Sequence, residues 1–135
     1  MKIKTIRLFV VRHNFSAGNR EVIFDGLATI QKNTDGINIS YIEEEDNTEV
    51  ELVVESQKVT LKRKTGEFST RVNCLLNKLS EIKVINKYGH FSLNTYTHHI
   101  EQSRKKLAFI YDVVSGNEVV DSYRFDWKWE DKYSE

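Results

Sequence analysis

The sequence predicts an all-β fold of about ten short antiparallel strands. Apolar and polar residues alternate with a period of two along most of the 135-residue chain, which puts successive side chains on opposite faces of a strand. Turn-forming groups rich in Gly, Asn and Asp separate these runs. No segment has a helical period long enough to predict a stable helix. The strands must hide their edges in a closed barrel or in two packed sheets, and alternation alone does not choose between them.

The N-terminal half contains five predicted strands, each with one apolar set in phase, at residues 6–12, 22–30, 37–43, 50–54 and 59–63. The turn sequences SAGN, NTDG, EEDN and KTGE follow the first, second, third and fifth of these. Gly26 lies inside a strand, which predicts a bulge or a sharp bend at that point. The acidic run at 43–51 and the basic run at 58–64 are typical of cross-strand charge pairs on a solvated face.

The C-terminal half contains four further strands by the same test, at residues 68–74, 91–97, 107–113 and 119–129. The last is the clearest, because a helix would scatter its aromatic rings around the whole circumference. The sequence SGNE (115–118) supplies the hairpin turn before it. Segments 75–79 and 101–106 are candidates for short helical turns. The predicted aromatic core comprises Phe91, Phe109, Tyr111, Tyr123, Phe125, Trp127 and Trp129.

Composition indicates one domain, residues 1–135, and excludes several classes of partner. Twenty Lys and Arg balance twenty Asp and Glu, whereas a nucleic-acid or anionic-membrane binder would show a basic excess. We therefore expect no nucleic-acid and no membrane partner. The single cysteine excludes an intrachain disulfide, and Arg7 and Arg12 interrupt the apolar run of the N-terminus, so it lacks a signal-peptide core. The expected location is the cytoplasm.

Three of the four histidines lie in YGHFSLNTYTHH (88–99), but their spacing argues against a metal site. His90 and His98 are about 26 Å apart along a strand, and the adjacent His98 and His99 should point to opposite faces. Cys74 falls on an apolar face, which is typical of a structural cysteine. The phosphate-binding and nucleophile motifs are absent, so the sequence predicts no metal, no cofactor and no catalytic residue, and an enzyme remains the least supported class.

Four segments together resemble the YwiB-like family of small, uncharacterised bacterial proteins, which belongs to the lipocalin/calycin superfamily. They are DGINISYIEEE (35–45), VTLKRKTGEFSTRV (59–72), NKYGHFSLNTYT (86–97) and LAFIYDVVSGNEV (107–119). The family's usual proline before its Tyr-Gly turn is Lys87 here. The resemblance implies a closed, antiparallel, up-and-down β-barrel of about 8–10 strands with no known activity. The residues that carry it are Tyr41, Glu43, Thr70, Arg71, Tyr88, Gly89, Thr97 and Tyr111.

A barrel of this size has room for packed side chains or for one small ligand, which leaves two functional hypotheses. In the first, the lumen binds a small, partly apolar ligand through an inward Glu43–Arg63 pair and through the hydroxyls of Tyr41, Thr70, Thr95, Thr97, Tyr111 and Tyr123. In the alternative, these hydroxyls bond within a filled core, and the protein is an interaction module that forms a homodimer. The dimer would use an exposed strand or the outward apolar residues Ile23, Leu27, Ile42, Val53 and Val120.

Overall fold

The computed structural model describes residues 3–132, and every regular element within this range is a β-strand. The ten strands are β1 (Ile3–Asn14), β2 (Asn19–Lys32), β3 (Gly36–Glu43), β4 (Thr48–Glu55), β5 (Lys58–Thr65), β6 (Phe68–Leu75), β7 (Leu79–Asn86), β8 (Gly89–Ser103), β9 (Lys106–Ser115) and β10 (Glu118–Asp131). Each strand pairs antiparallel with the next, and β1 also pairs with β10, which closes the sheet. The predicted closed, antiparallel, up-and-down barrel is therefore confirmed. Residues 1–2 and 133–135 of the predicted domain lie outside the described residues.

The barrel has two ends that differ in the turns they carry. The turns after β1, β3, β5, β7 and β9 lie at one end, which we call the upper mouth. The turns after β2, β4, β6 and β8 lie at the other, which we call the lower end. Residues 3–132 contain no helix with the length and apolarity needed to cross a bilayer.

Alternation builds the core because each strand directs every second side chain into the barrel. Leu8, Leu52, Phe109 and Trp127 are almost completely buried and belong to one cluster that draws on both halves of the chain. Phe109 stacks on Phe125 with 5.3 Å between the ring centroids. Strands β9 and β10 therefore fill their side of the core with aromatic rings.

The prediction of the aromatic core is confirmed for Phe109, Tyr111, Phe125, Trp127 and Trp129, all of which are buried. It is wrong for Phe91, whose exposed fraction is 54%. Phe91 is the third residue of β8, so it lies at the upper mouth, where the inward face of the sheet opens to solvent. Tyr123 is half-buried at the same mouth.

Two segments predicted as helical turns are instead strand ends and tight turns. Residues 75–79 end β6, turn through Asn77 at a φ of 59°, and begin β7, a strand that the sequence pattern did not reveal. Residues 101–106 end β8, turn through Lys105 at a φ of 61°, and begin β9. In each case one residue in the left-handed conformation lies in the turn that reverses the chain. The first turn is closed by a hydrogen bond from the backbone N–H of Lys78 to the carbonyl oxygen of Leu75 at 3.1 Å, and the chain then continues as a strand.

The predicted irregularity of β2 lies three residues before Gly26. Val10 pairs with Phe24 and Val11 with Val22, so Ile23 is the extra residue of a bulge. Gly26 has another role, because a Cβ there would lie 3.1 Å from Cζ of Phe24. Its missing side chain makes space for the Phe24 ring, which stacks on Tyr41 of β3 at a centroid distance of 3.9 Å.

The seam between β2 and β3 is short and opens toward the upper mouth. Thr29, Ile30, Gln31 and Lys32 pair with β3, although β2 contains 14 residues. Residues 19–28 of β2 have β1 as their only ladder partner within the described chain. Between Thr29 and the upper mouth the two strands diverge, and the stacked rings of Phe24 and Tyr41 span the gap.

Candidate functional site

The predicted Glu43–Arg63 pair is present at the upper mouth. Glu43 is the last residue of β3, and Arg63 lies near the end of β5 in the inward register, directly opposite Thr70 of β6. The guanidinium of Arg63 donates a hydrogen bond to the Glu43 carboxylate. The nearby Tyr41 hydroxyl is largely buried, and this burial together with the charge of Glu43 raises its pKa. The structure thus brings Tyr41, Glu43, Arg63 and Thr70 together.

The other predicted hydroxyls lie elsewhere. Thr95 and Thr97 are fully buried, and Oγ1 of Thr95 donates a hydrogen bond to the carbonyl oxygen of Asn73 at 2.6 Å. Tyr111 is also buried in the core, which raises the pKa of its hydroxyl. These three residues lie within the packed interior, and the hydrogen bond of Thr95 is of the kind that the alternative hypothesis of a filled core predicts.

Tyr123 belongs to a second polar group at the upper mouth that the sequence did not reveal. Its hydroxyl donates to Asp121 at 2.6 Å, and this hydrogen bond lowers the pKa of Asp121. The guanidinium of Arg12 lies 5.5 Å from the centroid of the Tyr123 ring and forms an ion pair with Glu21 at 3.0 Å. The alternation did place Arg12 in the inward register. Glu21 lies opposite Arg12 and points to the same side only because the bulge at Ile23 shifts the alternation of β2 by one residue.

The histidine cluster is a surface feature, and the prediction that His98 and His99 point to opposite faces is wrong. A bulge between Thr97 and His99 shifts the register of β8, so both imidazoles lie on the outer face. His98 contacts Asp112 at 2.7 Å. Ser122 donates a hydrogen bond to the same carboxylate, at 2.7 Å, rather than to the imidazole. Among residues 3–132, no three His, Cys, Asp or Glu side chains form a group that would hold a metal ion.

A groove of about 1040 Å³ lies mainly on the outer face of β2–β7 and also reaches inward-register residues near the upper mouth; we call it the outer groove. It begins at the diverging seam and reaches three predicted residues, Tyr41, Arg63 and Thr70. Its apolar lining includes Leu27, Ile42 and Ile85, each about half exposed. Its charged lining comprises Glu44, Glu49, Glu51, Lys62, Arg63, Lys64, Arg71 and Lys83.

Three cations of the outer groove lie side by side on neighbouring strands. Lys62 is directly opposite Arg71, which is directly opposite Lys83. Lys62 has an ion pair with Glu51 at 3.4 Å, and Lys83 has one with Glu81 at 3.3 Å. The central Arg71 has no acidic partner within the part of the chain that the structure describes. Like charges that face each other across strands are destabilising, and in this row the glutamate partners of the two lysines offset part of the repulsion.

The predicted dimer patch is only partly present. Leu27, Ile42 and Val120 are exposed, but Ile23 packs against the core and Val53 is half-buried. Leu27 and Ile42 line the outer groove, whereas Val120 lies in a bulge of β10. The homodimer stays a prediction.

Cys74 should make the protein less stable at alkaline pH. Burial raises the pKa of its thiol to about 12 from an ordinary value of 9.0. The unfolded chain therefore loses this proton at a lower pH than the folded chain does. The free energy of unfolding should fall by about 1.4 kcal/mol between pH 8 and pH 10 through this group. Urea denaturation at the two pH values measures the change.

The matched variant is Cys74→Ala, which lacks the thiol but keeps both buried tyrosines. We expect a smaller loss of stability between pH 8 and pH 10 in this variant than in the wild type, whatever its absolute stability. Equal losses in the two proteins would show that the thiol does not ionise differently on folding.

Comparison with known proteins adds the following findings. The family model described as "Domain of unknown function (DUF1934)" matches residues 9–126. A search of curated proteins found no match. Among solved structures, the chain is similar to the crystal structure of ywiB protein from Bacillus subtilis, with a TM-score of 0.77 and 21% sequence identity. That match covers 97% of this chain and 94% of the other, and at this identity it supports the fold alone. Neither match names the lipocalin/calycin superfamily, which stays a prediction.

Proposed function

Because the chain belongs to the DUF1934 family, whose function is unknown, we propose a function from the geometry of the outer groove: binding of a small amphiphilic anion. The observation that carries the proposal is the row of Lys62, Arg71 and Lys83 beside exposed apolar side chains in one concave surface. The proposal moves the predicted ligand from the lumen to the groove, with Tyr41 and Arg63 still beside it.

The apolar part of such a ligand would contact Leu27, Ile42 and Ile85. Each of these side chains is about half exposed, so each has apolar surface left to bury. Covering the remaining half of one such side chain contributes about 1 kcal/mol. This hydrophobic contribution is modest, and it explains why a headgroup contact would also be needed.

The anionic headgroup would bind at Arg71. Its guanidinium lies between two lysine strands and has no competing carboxylate among the described residues, so its donors are available to an oxyanion. A planar guanidinium binds carboxylate or phosphate oxygens through two parallel hydrogen bonds. An anion at this position would also relieve the repulsion between Arg71 and its two lysine neighbours.

Isothermal titration calorimetry with dodecyl phosphate, below its micelle-forming concentration, tests the proposal. We expect dodecyl phosphate to bind more tightly than either inorganic phosphate or neutral dodecyl maltoside, because only dodecyl phosphate has both an apolar chain and an anionic headgroup. Arg71→Gln should weaken its binding about tenfold, which corresponds to about 1.4 kcal/mol.

The matched control is Arg20→Gln, which removes an exposed arginine of β2 outside the groove lining. We expect wild-type affinity in this variant. Arg71→Gln should also raise the midpoint of thermal unfolding without ligand, which separates lost binding from lost folding. No binding by the wild type, or equal affinity of both arginine variants, would disprove the proposed site.

A further inference from the structure

A second concave surface, separate from the outer groove, lies on the outer face near the lower end. It is a pocket of about 400 Å³ where the turn between β8 and β9 meets β10 and β1, and we call it the lower pocket. Phe9 of β1 and Trp129 of β10 form its apolar part. Its cationic residues are Arg7, Arg104, Lys105, Lys106 and Lys128.

The sheet register places two of these cations face to face. Lys106 of β9 is directly opposite Lys128 of β10, and Lys128 is directly opposite Phe9. Side chains at directly opposite positions have Cβ atoms about 5 Å apart, so the two lysine side chains leave the sheet side by side, and both line the pocket. This arrangement is destabilising for the empty protein.

The turn that contributes the other cations is fixed to the barrel. The backbone N–H of Trp129 donates a hydrogen bond to the carbonyl oxygen of Lys105 at 3.1 Å. Lys105 also forms an ion pair with Asp131 at 3.6 Å. These contacts hold the turn beside β10, so Arg104 is presented at the edge of the pocket.

The pocket lining also contains two carboxylates, Asp25 and Glu130, and neither forms an ion pair with the facing lysines among the described residues. Asp25 binds Arg7 at 3.2 Å, and Glu130 lies directly opposite Arg7 in the sheet. Arg104, Lys106 and Lys128 have no ion pair among residues 3–132. Because the whole chain has equal numbers of cations and acids, a local excess of this kind marks a place where an anion is stabilised.

We propose that the lower pocket binds a small soluble polyanion with phosphate-type oxygens, held between Lys106 and Lys128 with Arg104 at the edge. The pocket has less than half the volume of the outer groove, and cations outnumber its apolar side chains. It therefore fits a compact, highly charged ion rather than an amphiphile. The two sites are independent, since they have no lining residue in common.

The experiment uses inorganic pyrophosphate as the probe, with binding measured by calorimetry and by the shift in thermal unfolding midpoint. Lys128→Gln and Lys106→Gln should each weaken pyrophosphate binding about tenfold and raise the unfolding midpoint of the free protein, because each removes one of two facing charges. Affinity should fall steeply as salt is added. Lys87→Gln, which removes a lysine at the upper mouth, is the matched control and should leave affinity unchanged.

Arg71→Gln should retain pyrophosphate binding at the lower pocket. The proposal for the outer groove and the proposal for the lower pocket can therefore be disproved separately. Wild-type affinity in both Lys106→Gln and Lys128→Gln would overturn the proposal. Loss of pyrophosphate binding in Arg71→Gln alone would also overturn it, by locating the anion in the groove. Binding to vesicles containing phosphatidic acid without binding to pyrophosphate would equally overturn it, since the ligand would then be a lipid headgroup.

Discussion

Gly36→Ala is expected to lower the free energy of unfolding by about 3 kcal/mol, as measured by urea denaturation. An added Cβ would lie 1.7 Å from the carbonyl oxygen of Val54 and 2.8 Å from its carbonyl carbon. Both atoms belong to the backbone of β4, so no side-chain rotation relieves the clash. Gly36 begins β3, directly opposite Glu55. The strand would have to move away from β4, which would also strain its four-pair ladder with β2.

Gly116→Ala is the matched control for this variant. Gly116 has a φ of 62°, but an added Cβ there would meet no heavy atom within 4 Å. The substitution therefore costs only the strain of a left-handed alanine, about 1 kcal/mol. Losses of equal size in the two variants would show that close approach of the backbones does not explain the glycine at position 36.

Phe109→Ala is expected to lower the free energy of unfolding by about 4 kcal/mol. The Phe109 ring is fully buried and stacks on Phe125 at a centroid distance of 5.3 Å, so its removal leaves a large cavity lined by aromatic rings. The surrounding strands belong to a closed sheet and cannot collapse far into that space. Chemical denaturation at pH 7 measures the loss.

The control for Phe109→Ala is Phe91→Ala, which removes the same side chain from a position that is 54% exposed. We expect a loss below about 1 kcal/mol there. Phe109→Leu keeps most of the volume and should cost less than about 1.5 kcal/mol, so it provides a measurement even when the alanine variant does not fold. A Phe91→Ala variant as unstable as Phe109→Ala would contradict the assignment of the core.

Much of the fold follows from the sequence because burial on one face of a strand leaves a period of two in the chain. Residues 107–113 and 119–129 show this period clearly, and both lie within strands of the structure. Strand β7 was missed because its sequence LSEIKVIN buries only Ile82, so the alternating signal is weak. The resemblance to the YwiB-like family is confirmed by the family and structural matches.

The candidate site was harder to predict, for two physical reasons. Bulges at Ile23 and His98 shift the phase of their strands, and nothing in the local sequence reveals a one-residue shift of this kind. The row of Lys62, Arg71 and Lys83 depends on the register of three strands, which the chain's own spacing does not give. The Glu43–Arg63 pair is predictable, because each residue is in phase with the buried apolar residues of its strand and lies at the strand end nearest the upper mouth.

The pairing of the first strand with the last has a consequence for synthesis in the cell. Nine residues of β1, from Ile6 to Asn14, take their partners from β10, which ends at Asp131. A nascent chain therefore carries an unsatisfied β1 edge, with its LFVV stretch, until β10 has been synthesised. Closure of this barrel must wait for β10, and until then the unpaired edge of β1 is a site for aggregation with other chains.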